Sequence, residues 1–207
     1  MFGLPEKDVI RQPLSKKIMY AKFALKSEAK QLFEKDVSRV TIVGYVSPQT
    51  VPALHEGEQI KGYYVLLLNI RQREYRDRNL LWMFNSIHQN MVFVLECEDE
   101  AQLVINYNGL QKSEWMPLSE VNIKLDGLDM DAVWMNLVAA IGGYNAHSST
   151  ETIDTQIDNR QQVARIKKEI KALTNKRNKE RQTQVKFALH KQIVALQEKL
   201  KEYENLN

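Results

Sequence analysis

Catalysis needs reactive groups at workable spacing, and the stretch LLLNIRQRE, residues 66–74, comes nearest to supplying them. A metal-dependent nuclease of the restriction type needs an acidic residue at one strand end. It also needs a carboxylate and a lysine, two apart, on the next strand. The carboxylates hold divalent cations and the lysine orients the attacking water. Here Asn69 stands where the carboxylate belongs and Arg71 where the lysine belongs. A neutral amide is a poor anchor for Mg²⁺, and a guanidinium is always charged. Asp36, Glu74 and Glu96 remain as loose carboxylates. A divergent metal-dependent nuclease is therefore kept as the alternative function, behind a non-catalytic one.

Other reactive groups are scattered. There is no glycine-rich phosphate loop, no dinucleotide-binding turn and no HExxH. The four histidines, His55, His88, His147 and His190, share no ligand spacing and read as surface residues. Cys97 closes the apolar run MVFVLEC and reads as a core thiol. Ser148 and Ser149 follow His147, but adjacency in sequence is not a triad, and no G-x-S-x-G elbow occurs. No catalytic residue, metal or cofactor is expected.

Positive charge is a better lead. The run RQREYRDR holds Arg71, Arg73, Arg76 and Arg78 around Tyr75, a pattern that suits phosphate contact with a stacking aromatic. The bland reading is a solvated loop paired with Glu74 and Asp77. Over the whole 207-residue chain, 29 basic and 26 acidic side chains nearly cancel. The balance is uneven, however. Residues 157–207 carry 13 basic and 6 acidic side chains, against 16 and 20 before them. An acidic partner such as nucleic acid is one reading, with Lys176, Arg177, Lys179 and Arg181 as its contacts; a long solvated helix is the other.

The elements that must position these groups form an α/β (α+β) domain. Pro5 and Pro13 make the start an extended arm. Residues 14–37 read as mostly helical, with Ser27 as a cap. VTIVGYV (40–46), IKGYYVLLLNI (60–70), MVFVLEC (91–97) and AQLVINY (101–107) read as strands, the second central and the last two a hairpin. Asn79 is placed to cap a helix running to Ile87, and SEWMP (113–117) is a short edge strand. DMDAVWMNLVAAI (129–141) is a helix stopped by Gly142–Gly143. The result is a small mixed, mainly antiparallel sheet with flanking helices over residues 1–144, then a polar linker, 145–156.

Residues 157–207 contain neither Pro nor Gly. Val163, Ile166, Ile170 and Leu173 form one helical stripe, and Leu189, Ile193, Leu196, Leu200 and Tyr203 form another. Whole heptads from Leu173 lead to Glu180 and Phe187, so the register breaks before the second stripe. Either the chain folds back near Gln182–Gln184 as a helical hairpin, the favoured form, or one long helix carries two surfaces. In both cases the stripes are candidate partner-binding surfaces, for another protein or for a second copy of this chain. No apolar run approaches the roughly 18 residues that span a bilayer, and the start lacks a secretory signal. A cytoplasmic protein away from membranes is expected.

In order along the chain, FGLP, RQPLSKKIMYAKF, VLLLNIRQREY, MVFVL, KSEWMP and KRNKERQTQVKFALHKQIVALQEKL resemble a bacterial family catalogued as domain of unknown function 4391. The resemblance spans nearly the whole chain. It rests on the order of these tracts, and it brings no catalytic residues with it. Members tend to be encoded beside DNA methyltransferases and helicase-type proteins of restriction or phage-defence islands. The resemblance therefore implies an accessory or adaptor subunit that docks a helicase or methyltransferase and lies near DNA. Self-assembly into a structural protein is a further alternative.

Overall fold

β-Branched residues at 37–46 and unbroken apolar runs at 63–70 and 91–97 build the sheet. The computed structural model describes residues 1–22, 25–147 and 151–204, and the chain divides into two bodies, Met1–Ala146 and His147–Asn207. In the first body β1 (Val9–Pro13), β2 (Val37–Val46), β3 (Tyr63–Ile70), β4 (Met91–Cys97), β5 (Glu100–Asn106) and β6 (Leu110–Lys112) lie side by side in that order. β7 (Met116–Pro117) pairs with β5. Four helices accompany them among the described residues: α1 (Lys16–Lys22), α2 (Ser27–Asp36), α3 (Asp77–Ser86) and α4 (Met130–Gly142). The β3–β4 pairing is parallel, with α3 as its crossover, and the others are antiparallel. The N-terminal arm is thus tied to the sheet edge through β1.

β3 and β4 are central, and residues 91–95 are buried one after another, as expected for strands covered on both faces. On one face Leu66, Leu68, Phe93 and Leu95 pack with Met19, Tyr20, Phe33, Leu80 and Met83 of the first three helices. Phe33 meets Trp82 edge-on at 5.3 Å between ring centroids. Each such fully buried side chain contributes roughly 2 kcal/mol. From the neighbouring register of β3, Tyr63 meets Trp134 of α4 at 5.7 Å. Asp129 caps α4 by accepting from the Ala132 N–H at 2.8 Å, and Gly143, at φ +67°, ends it in a left-handed turn.

Two expected caps differ. Lys26, not Ser27, holds the cap position of α2, and no side-chain cap bond forms there. Asn79 lies inside the first turn of α3, with Arg76 at the cap position. In the region of the expected edge strand SEWMP, the strand is limited to Met116–Pro117, and an additional short strand, β6, precedes it.

A carboxylate fastens the long connection between β2 and β3. Asp131 accepts the Ile60 N–H at 2.7 Å and the Glu58 N–H at 2.6 Å, and the Gln59 N–H lies at 3.2 Å from both oxygens. The Ile60 bond first, then those of Gln59 and Glu58 and the nearby Lys61 charge, hold its carboxyl below its usual value. The contribution of this clamp is complete above the ordinary carboxylate pKa. It is lost as pH falls through the depressed folded value. Asp131→Asn is expected to lower the hydrogen-exchange protection of the Ile60 amide at neutral pH. The parent chain is expected to lose protection on acidification, and the variant should not.

In the second body Thr152 accepts the Thr155 N–H at 3.2 Å and starts α5 (Ile153–Lys179), within the segment read as linker. α6 (Thr183–Glu204) returns against it. An ion pair of 2.8 Å joins Lys167 to Glu204 near one end, and Arg177 Nη1 lies 3.5 Å from His190 Nδ1 near the other. This is the helical hairpin, with its turn at residues 180–182. Ile166, Leu189 and Ile193 are buried, while Val163, Ile170, Leu173, Leu196 and Leu200 are half-buried. At about 1.5 Å per residue, α5 is some 40 Å long.

Candidate functional site

Two groups of residues carry the sequence-derived expectations, one in each body. In the first, Arg71–Arg78 leads from β3 into α3, and Asp36 organises it. Asp36 is 1% exposed at the junction of α2 and β2. Its Oδ2 accepts from the Arg76 N–H at 2.9 Å and from the Asn79 amide at 2.7 Å. Its Oδ1 accepts from the Arg76 guanidinium at 2.5 Å, and its backbone carbonyl accepts the Arg71 N–H at 2.9 Å. Arg71 Nε donates to the Glu34 carbonyl at 3.1 Å. Arg73 pairs with Glu100 and lies over the Trp115 ring, 5.6 Å from its centroid.

The Tyr75 hydroxyl donates to Gln102 Oε1 at 2.6 Å, and Gln102 Nε2 donates to the Ser113 carbonyl at 2.7 Å. Lys112 Nζ sits 4.8 Å from the Tyr75 ring centroid and 2.5 Å from Asp77 Oδ1. Burial first, then the Asp77 charge, push the Tyr75 phenol up, so it stays protonated. Arg71, Arg73 and Arg76 thus have acceptors within the chain, and Tyr75 is built into its own body. Arg78 is exposed and borders a small cleft with Trp82 and Leu25.

Asn69 donates to Glu96 Oε2 at 2.5 Å across the β3–β4 pair. Glu96 is therefore engaged by an amide, and Asp36 by Arg76 and Asn79. Among the described residues no three His, Cys, Asp or Glu side chains gather as a metal site requires. Ser148 and Ser149 lie outside the described residues.

The second group is the end of the hairpin. α5 stops at Lys179 because Glu180 turns extended, at φ −72° and ψ 145°. The Glu180 Oε1 atom then accepts the N–H groups of Arg181 at 2.7 Å and Gln182 at 3.0 Å. Those bonds, Gln182 first, hold the Glu180 carboxyl below its usual range, with Lys176 and Lys186 assisting. The tip's one carboxylate is thereby turned onto backbone. Around it Lys176, Lys179, Arg181 and Lys186 are exposed.

An open depression of about 530 Å³ lies between the helix ends. Arg177, Asn178, Thr183, Lys186, Phe187 and His190 line it. Phe187 is 60% exposed, and Lys191 Nζ lies 4.9 Å from its ring centroid. Lys176, Arg177, Lys179 and Arg181, expected from charge, therefore share one end of the hairpin. Phe187, Lys186 and His190 join them through the fold. A signal for Phe187 did exist: it is the aromatic that falls outside both apolar stripes.

The family model described as Domain of unknown function (DUF4391) matches residues 2–200. No curated protein and no solved structure matches the chain.

Proposed function

We propose, for a chain that belongs to the family of domain of unknown function 4391, a non-catalytic accessory role in which the hairpin tip contacts nucleic acid. The single observation that carries this reading is where the charge lies on the folded hairpin. Residues 171–191, which form the tip, hold 7 of the 13 basic side chains of residues 157–207 and only 1 of the 6 acidic ones. The remaining 6 basic and 5 acidic side chains nearly balance. A helix that needed charge only for solvation would mix the signs along its length.

Helix electrostatics sharpen the point. Lys176, Arg177 and Lys179 in the last turn of α5 suit the negative end of that helix dipole. The first turn of α6 is the positive end, where acidic residues are favoured, and it has none. Instead Arg181 precedes it and Lys186 lies in it. Folding alone gains nothing from cations there. A polyanion would neutralise the cations at both helix ends together with the positive end of the α6 dipole, and would do so in a salt-dependent way.

The half-buried side chains Val163, Ile170, Leu173, Leu196 and Leu200 support a second contact, with the helicase or methyltransferase that the family resemblance implies. The setting would be bacterial restriction or phage defence. We assign no phosphate to Arg71, Arg73 or Arg76, because their guanidinium groups already serve Glu34, Glu100 and Asp36.

Binding of the full chain to labelled DNA, followed by fluorescence anisotropy at low salt, tests the proposed role. Saturable binding that weakens steeply with added salt is expected; absence of binding at low salt overturns the reading.

A further inference from the structure

We infer that the depression at the hairpin turn is a nucleotide-sized site that stacks an unpaired base on Phe187 and holds its flanking phosphates with Arg177 and Lys186. The inference rests on the nucleic-acid reading above and narrows it to single strands. It starts from a cost. Phe187 is 60% exposed, in a helix that has interior positions to offer a large ring. At 100° per residue it stands about 160° around α6 from Leu189, away from the seam with α5. Folding of the hairpin therefore gains little from the ring.

The neighbours of Phe187 say what kind of occupant it suits. Thr183 and His190 share its face at helical spacing, and Lys186 and Arg177 border the same depression. Lys191 holds its ammonium over the ring. The cores of protein-docking patches are depleted of lysine relative to the rest of a surface. A flat, exposed ring edged by cations instead has the make-up of a single-strand platform, in which cations follow the backbone and the aromatic takes a base. Duplex DNA would have to unstack a base step, at a cost in free energy, to use this ring. A single strand can turn a base outward at little cost. Val194 is the other exposed large apolar residue of the hairpin among those described, and it continues this face one heptad on. A protein partner seated on Phe187 and Val194 is thus the competing occupant.

The test compares the full chain with Phe187→Ala and Phe187→Trp, on a labelled oligothymidine of about 20 nucleotides and on its duplex. Because Phe187 is exposed, both variants should keep the parent's helicity, which circular dichroism checks. Phe187→Ala is expected to lose about tenfold or more in single-strand affinity, with its salt dependence unchanged, since no charge is removed. Its duplex affinity should stay within about twofold of the parent's, and Phe187→Trp should bind single strands at least as well as the parent. Parent-like single-strand binding by Phe187→Ala overturns the stacking site, while binding by the parent keeps the broader reading intact. An equal loss on single strand and duplex also overturns it, because the ring would then be supporting the tip and not a base. Failure of the parent chain to bind either probe removes both.

Discussion

Changing Lys176, Arg177, Lys179 and Arg181 together to alanine is expected to lower DNA affinity on the order of 100-fold near physiological salt, without unfolding the hairpin. The four cations lie in the last turn of α5 and the turn beyond it. Lys176, Lys179 and Arg181 are exposed, and the side-chain contacts of Arg177 are the polar ones with His190 and Asn178. Alanine is the best helix former, so helicity should be retained or rise slightly. The buried stripe of Ile166, Leu189 and Ile193 is untouched. An anisotropy titration beside a circular dichroism spectrum checks both halves. If affinity falls less than about threefold with four charges gone, the tip is not where the polyanion sits.

Asp36→Ala is expected to destabilise the first body by about 3 kcal/mol, measured by urea unfolding. The magnitude follows from what the carboxylate holds. Removing it leaves the Asn79 amide buried without its strongest acceptor, although the Leu32 carbonyl still lies at 3.2 Å. The Arg76 N–H and guanidinium lose their partner as well. A fully buried ion pair broken on one side costs about 3–5 kcal/mol. Arg76 is 48% exposed and can turn to water, which brings the figure toward the lower end. The same substitution frees the loop that carries Arg71, Arg73 and Tyr75. DNA binding should nevertheless persist at temperatures where the variant remains folded, because the hairpin tip belongs to the second body. A variant as stable as the parent would mean that Asp36 is not the anchor of this crossover.

The strands were legible because their signal is local. VTIVGYV, YYVLLL and MVFVL are β-branched or apolar over lengths that suit a buried strand, and each forms one. Asp129 and the Gly142–Gly143 pair framed α4 for the same reason. The hairpin was legible from the register break between the two stripes, although its turn, capped by the Glu180 carboxylate, comes at residues 180–182 and not at Gln182–Gln184. What sequence did not show depends on partners far along the chain. Asn79 has the residue type of a cap, yet Asp36, 43 positions away, draws its amide inward and places it within the helix. Arg71, Arg73 and Arg76 look free in sequence, whereas their acceptors at Glu34, Glu100 and Asp36 belong to other elements. Phe187 becomes part of a site only when the chain doubles back and sets α6 beside the end of α5.

The most direct measurement is the salt dependence of DNA affinity for the full chain and for the fourfold alanine variant. If those four cations and Lys186 each neutralise a phosphate, log K should fall against log salt with a slope of about −3.5 on a single strand, and the variant's slope should shrink to about −0.7. Equal slopes in the two proteins, or a parent slope near zero, would contradict a nucleic-acid interface at the end of the hairpin.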